Sequence, residues 1–195
     1  MGLFDNCREL LKCAGMFYYC SGIGKTPTEV TEADPYCVPN TMFAHCPKLM
    51  DCNHMFYRYA PATDSTRVVN TLYGEVPPDL FKGCYQLENT SSMFAYQGQI
   101  KGTIPAGFFK SQDSRLKNTS SMFIGCPIQK LETCFLKGRH TGMTHTNSMF
   151  YGCGQMVGTA KPIIDAIDYI PNHAEMFLGC GKLTDFNAEY MAGWK

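Results

Sequence analysis

The chain has 195 residues, 45% of them hydrophobic, with 17 basic and 17 acidic side chains and no net formal charge. That is enough apolar material for one domain with a real core, and it excludes bulk disorder. The balance of charge argues against a nucleic-acid binder working through a basic face and against a polybasic membrane anchor.

The N-terminus, MGLFDNCREL, lacks the basic start and apolar stretch of a signal peptide. Gly2 follows Met1, but Asn6 stands where a myristoylation site wants Ser or Thr. No run reaches the roughly 18 apolar residues that a membrane helix needs, so direct membrane insertion is not expected.

From Phe4 onward the chain repeats itself. Phe4 pairs with Phe17, Phe43 with Phe56, Phe81 with Phe94, Phe109 with Phe123, Phe135 with Phe150, and Phe177 with Tyr190, at 13 to 15 residues each. The first members, at 4, 43, 81, 109, 135 and 177, predict six double repeats in a single domain over 1–195. The two shortest steps set a basic coil of 26 to 28 residues, a length that fits a solenoid. Cys follows Phe by three residues at Cys7, Cys20, Cys46, Cys84, Cys126, Cys153 and Cys180. Phe and Cys at that spacing lie on one face of a short helical turn, and Gly in Gly-Cys tolerates the left-handed conformation that ends it.

Between turns the pattern changes. In Gln99-Ile100-Lys101-Gly102-Thr103-Ile104-Pro105, Ile100 and Ile104 are in phase at period two, which predicts a short strand stopped by the proline. The polar runs Asn89-Thr90-Ser91-Ser92 and Asn118-Thr119-Ser120-Ser121 read as capped entries into the next turn. One unit cannot bury its apolar stripe alone, so stacking is required. The expected fold is an α/β repeat solenoid in which each coil carries a short strand and short helical turns, with loop insertions.

The same periodicity assigns the unusual residues to a core. Phe4, Phe17, Phe43, Phe81, Phe94, Phe123, Phe150 and Phe177 fill it together with the seven periodic cysteines, because free Cys serves as a small hydrophobe. A zinc reading fails for want of Cys-x2-Cys spacing. Tyr59, Gln97 and Gln112 replace Cys at the same repeat position, so no covalent chemistry is required there. The five His and the scattered Asp form no catalytic constellation; no enzyme activity, metal or cofactor is expected. The insertions at 24–36, 57–73, 138–146 and 158–169 interrupt the repeat without building the core, so they are candidates for specificity. Tyr18, Tyr19, Tyr36, Tyr57, Tyr59 and Tyr73 gather around the first two insertions with Arg58 and Arg67, and Tyr is a frequent interface anchor.

Two motifs carry a resemblance. Gly74-Glu75-Val76-Pro77-Pro78-Asp79-Leu80-Phe81-Lys82-Gly83-Cys84 and Gly102-Thr103-Ile104-Pro105-Ala106-Gly107-Phe108-Phe109 resemble the GxIPxxLFxxC repeats of BspA-like leucine-rich-repeat proteins. Asn147-Ser148-Met149-Phe150-Tyr151-Gly152-Cys153 is similar to the MFxGC repeat of related bacterial surface proteins. The resemblance implies a non-enzymatic adhesion module on a bacterial surface or phage virion, with a protein or glycan receptor as partner. The alternative is a spacer that contacts neighbouring subunits of a particle.

Overall fold

The computed structural model describes residues 3–18, 20, 22–58, 71–109, 115–132, 142–167 and 169–195. The expectations placed on Tyr19, Tyr59, Arg67, Gln112 and Phe135, and on much of the insertions 57–73 and 138–146, lie outside these residues.

Among the described residues, regular elements are few and short. They are β1 (Gly74–Glu75), β2 (Ile100–Lys101), β3 (Thr103–Ile104), β4 (Lys130–Leu131), α1 (Lys161–Ile167) and a terminal 3-10 helix (Glu189–Gly193). The strand expected around Ile100 and Ile104 is cut in two at Gly102, whose φ is 86°. A Cβ there would lie 2.8 Å from the Glu75 carboxyl carbon. β1 pairs in parallel with β2, and β3 with β4.

The organising feature is a set of parallel bridges that joins one stretch of chain to the next. Lys12 bridges Asp51, and the line continues through Asn89, Asn118, His145 and Asn172. We number the six stretches through these positions as layers 1 to 6. A second line on the other side of the layers runs through Tyr36, Glu75 and Lys101, and later through Gly158 and Leu183. Each layer passes through a first turn, the first bridge line, a second turn and the second bridge line.

Both turns are single loops and not helices. Each is closed by the Cys N–H donating to the carbonyl of the Phe three residues earlier, at 2.9–3.2 Å for Cys7, Cys20, Cys46, Cys84, Cys126, Cys153 and Cys180. The phenylalanines then stack layer on layer. Phe4, Phe43, Phe81 and Phe109 form one column with ring centroids 5.2, 5.9 and 5.9 Å apart. Phe17, Phe56, Phe94, Phe123, Phe150 and Phe177 form the other, at 5.5 to 5.9 Å.

This corrects the pairing at the C-terminal end. Phe177 was expected to open a sixth pair with Tyr190, but its ring continues the second column on Phe150. Layer 6 therefore begins earlier in the chain. There α1 takes the place of the first turn and buries Ile163, Ile164 and Ile167 instead of a phenylalanine. Tyr190 lies in the terminal 3-10 helix with an exposed side chain.

Successive second turns are welded in register. Thr90, Ser92, Phe94 and Tyr96 donate their N–H groups to the carbonyls of Asn118, Ser120, Met122 and Ile124 at 2.7–3.0 Å. Thr119, Ser121, Phe123 and Gly125 do the same to His145, Asn147, Met149 and Tyr151. Reaching this register puts the residue before each methionine at positive φ: Gly15, His54, Ser92, Ser121, Ser148 and Glu175, at 51–61°. Five of the six are not glycine, and each costs on the order of 1–2 kcal/mol in backbone strain. Asn89 and Asn118 do not cap helices. Their side-chain oxygens accept the N–H two residues on, from Ser91 and Ser120, and so start the turn locally.

The two ends differ. Trp194 accepts the Phe177 N–H at 2.8 Å and stacks on His173 at 3.9 Å, so it covers the second turn of layer 6. Layer 1 has a neighbour on one side only among the described residues. Its Leu3, Leu11 and Met16 are exposed, and its Phe17, Cys7 and Cys20, expected in the core, are half-buried. The other phenylalanines and cysteines assigned to the core are buried.

Phe123 has a stacked ring on both sides, so Phe123→Ala should lower unfolding free energy in urea by roughly 3–5 kcal/mol, and Phe17→Ala in the end layer by clearly less. Ser121→Val should cost about 1–2 kcal/mol more than Ser121→Gly, because only the former resists the left-handed backbone.

Candidate functional site

The residues expected at a binding surface divide between the two sides of the layers. Tyr18 and Tyr57 come together at the edge of the second turns, with ring centroids 5.3 Å apart. Tyr36 and Tyr73 do not join them: both are half-buried beside the second bridge line, where Tyr36 bridges Glu75. Arg58 follows Tyr57 but is half-buried, and its Nε has no hydrogen-bond partner among the described residues.

Sequence reasoning missed Tyr96, which extends the aromatic edge. Its ring stands edge-on to Tyr57 at 5.8 Å, and the exposed His54 lies 5.2 Å from Tyr57 on the same edge. Tyr96 is 45% exposed and has φ 61°. The same position in layers 4, 5 and 6 is Gly125, Gly152 and Gly179, at 69°, 74° and 83°. A bulky residue in that conformation is a genuine outlier. Gly125 makes room for it: a Cβ there would lie 2.9 Å from Tyr96 Cδ1. In the sequence Tyr96 stands at the position that Gly125, Gly152 and Gly179 occupy in layers 4 to 6, but that correspondence becomes visible only once the second turns are aligned. Tyr151, in layer 5, is exposed on this edge as well.

The first-turn side carries two open depressions that meet at Tyr85. One, of ≈ 710 Å³, includes Pro78, Asp79, Lys82 and Phe108, and the other, of ≈ 320 Å³, includes Arg8, His45 and Pro47. An apolar recess of ≈ 190 Å³ lies between β4 and the start of α1, against Met156, Phe177 and Leu183.

The thiols are engaged in structure. Cys84, Cys126, Cys153 and Cys180 each donate to the carbonyl of the phenylalanine one layer below, Phe43, Phe94, Phe123 and Phe150, at 3.0–3.2 Å. Gln97, at the Cys position of layer 3, does the same job with its amide: Nε2 donates to Phe56 O at 2.6 Å while Oε1 accepts the Leu72 N–H. Burial pushes the thiols of Cys37, Cys84, Cys126 and Cys180 up to about 12 and that of Cys46 to about 11. They are protonated at neutral pH, where the thiolate is the nucleophile.

Among the described residues, Asp185 is the carboxylate held far down. Burial raises it, but hydrogen bonds from the Thr159 and Tyr190 hydroxyls and from the Ala160 and Lys161 N–H groups outweigh that and hold it at about 2. These bonds tie the last layer to the start of α1. Among the described residues no three His, Cys, Asp or Glu side chains gather as a metal would require, and no helix is long and apolar enough to cross a membrane. Compared with known proteins, the chain matches no family model, no curated sequence and no solved structure.

The raised thiols make stability depend on pH at the alkaline end. Below about pH 8.5 the thiols are protonated in both states. From there to about 11–12 the unfolded chain sheds protons that the folded chain keeps, so stability falls as pH rises. Each such thiol should contribute a loss of about 1 kcal/mol per pH unit within that window. Urea midpoints measured between neutral and strongly alkaline pH should fall less steeply for Cys126→Ser than for the parent chain.

Proposed function

We propose that the chain is a solenoid that works as a non-enzymatic binding module, and that the edge formed by Tyr18, Tyr57, Tyr96 and His54 is its recognition surface for a protein or glycan receptor. The observation that carries this is Tyr96. Three layers of the same turn use glycine where the backbone is left-handed, and layer 3 instead bears an exposed tyrosine at a conformational cost. Strain kept at a surface position that the core does not need is a mark of function. Tyrosine offers a rigid amphipathic ring to a partner, with little entropy to lose. The resemblance to BspA-like repeats points the same way, towards adhesion at a bacterial or phage surface.

A second reading, an assembly element of a larger particle, rests on the bare first layer, where Leu3 is 66% and Leu11 50% exposed. Light scattering that finds only monomer at high concentration, with the chain's Leu11→Lys variant unchanged, would remove its support.

The main reading is tested with Tyr96→Gly, which restores the glycine of layers 4 to 6. It should raise the melting temperature slightly, by relief of strain of about 1 kcal/mol, and should weaken capture on glycan arrays and on immobilised host-surface proteins at least tenfold. Undiminished capture by Tyr96→Gly and Tyr57→Ala together would refute the assignment of this edge.

A further inference from the structure

The thiols of Cys13 and Cys52 differ from the seven that follow a phenylalanine by three residues: neither follows a phenylalanine, and neither reaches a phenylalanine carbonyl in the layer below. They stand at the start of the second turn, in the column that continues with Thr90, Thr119 and Thr146. In that column the Thr119 and Thr146 hydroxyls donate to the carbonyls of His145 and Asn172 in the next layer. Cys13 Sγ stands in the same relation to Asp51 O, at 3.7 Å. With sulfur in two consecutive layers, the side chains meet. Cys13 Sγ lies 3.2 Å from Cys52 Sγ and 3.5 Å from Met55 Sδ.

We infer that Cys13 and Cys52 form a redox-modifiable pair, which a small disulfide such as glutathione disulfide converts into a disulfide bond between layers 1 and 2. The geometry suits the bond. The backbones are bridged in parallel one residue earlier, at Lys12 and Asp51. Adjacent strands run about 4.8 Å apart, inside the usual Cα separation of a disulfide. The sulfurs need to approach by only about 1 Å to reach bonding distance. In the Phe-Cys columns the Sγ atoms of Cys84, Cys126, Cys153 and Cys180 are each tied to a phenylalanine carbonyl of the layer below, which holds successive sulfurs on separate partners.

Access comes from the end of the stack. Cys13 is buried, but it belongs to the layer with one neighbour, and Leu11 and Met16 beside it are exposed. Terminal units open at the lowest cost. When layer 1 lifts, the Cys13 thiolate attacks the glutathione disulfide, whose sulfur–sulfur bond breaks and releases one glutathione thiolate. The Cys52 thiolate then attacks the Cys13 sulfur of the mixed disulfide and expels the second. The two protein thiols lose two electrons and two protons, and the glutathione disulfide is reduced to two thiols. The closed bond spans 39 residues in sequence, so it removes substantial freedom from the unfolded chain.

The test uses the full chain, fully reduced and then held folded in a glutathione redox buffer, with non-reducing peptide mapping. The first product should be a Cys13–Cys52 linked peptide pair, two hydrogens lighter than its parts. It should form with a rise of several degrees in melting temperature that dithiothreitol reverses. Cys52→Thr should fold like the parent, since layers 3 to 5 carry Thr in this column, and should lose both the link and the rise while leaving Cys13 as a glutathione adduct. A first link between any other pair, or no link while the folded chain is incubated at a poise that oxidises the urea-unfolded chain, would overturn the inference.

Discussion

The structure depends on one repeated backbone interaction. In every second turn alternate N–H groups point to the following layer and alternate carbonyls point to the preceding one, so neighbouring layers join by parallel hydrogen bonds in strict register. A buried peptide group left unpaired costs as much as a lost hydrogen bond. The side chains are therefore chosen to let the backbone repeat its conformation without slipping. The phenylalanine columns do this by stacking: a ring displaced by one residue would leave its column and open a void on both sides. Left-handed residues before each methionine are a cost that the register imposes. Each of Ser92, Ser121 and Ser148 offsets it by donating its own N–H to the next layer.

The cysteines follow from the same constraint. A turn closed from Cys N–H to Phe O leaves that phenylalanine carbonyl with a second lone pair facing the next layer. The group above it must tolerate burial and must donate. A thiol meets both conditions, and Cys126 above Phe94 and Cys180 above Phe150 show it. Gln97 separates packing from bonding. It is larger than Cys, yet it occupies the position because its amide supplies the same donor to Phe56 and uses its oxygen on Leu72. The position selects a hydrogen-bond donor, and thiol chemistry is incidental to it.

The sequence made the period legible because Phe and Cys recur at spacings set by stacking, and the core assignments of Phe43, Phe81, Phe94 and Phe150 rest on nothing else. The last layer was misread for a physical reason. α1 fills the first-turn place with isoleucines, which removes the phenylalanine that would have marked it, and Tyr190 happens to lie at the pair spacing from Phe177. The terminal cover was illegible too, because Trp194 acts once and carries no period. At the candidate site, Tyr18 and Tyr57 were named from their clustering in the chain, and their rings lie 5.3 Å apart. Tyr96 was not, since its neighbours in sequence are Ala95 and Gln97 while its partners are Tyr57 and Gly125 in other layers. Tyr36 and Tyr73 lie apart from them: closeness in sequence to an insertion places a residue beside the second bridge line as readily as on an exposed edge.

The polarity of the second-turn ladder makes the two ends of the stack chemically unlike. At layer 6 the outward donor of Phe177 is taken by Trp194. At layer 1 the outward groups are carbonyls: no described N–H donates to those of Ala14 and Met16, whose counterparts Asn53 and Met55 accept from layer 1 itself. Two copies meeting through their first layers would set acceptor against acceptor. A first layer meeting a last layer would find the Phe177 donor already used. Apolar contact through Leu3, Leu11 and Met16 remains open to a partner, and backbone pairing there requires a turn that presents outward N–H groups. The cover at Trp194 satisfies the outward donor of Phe177, much as unpaired edges are blunted in other sheet proteins, while the first layer keeps its outward acceptors.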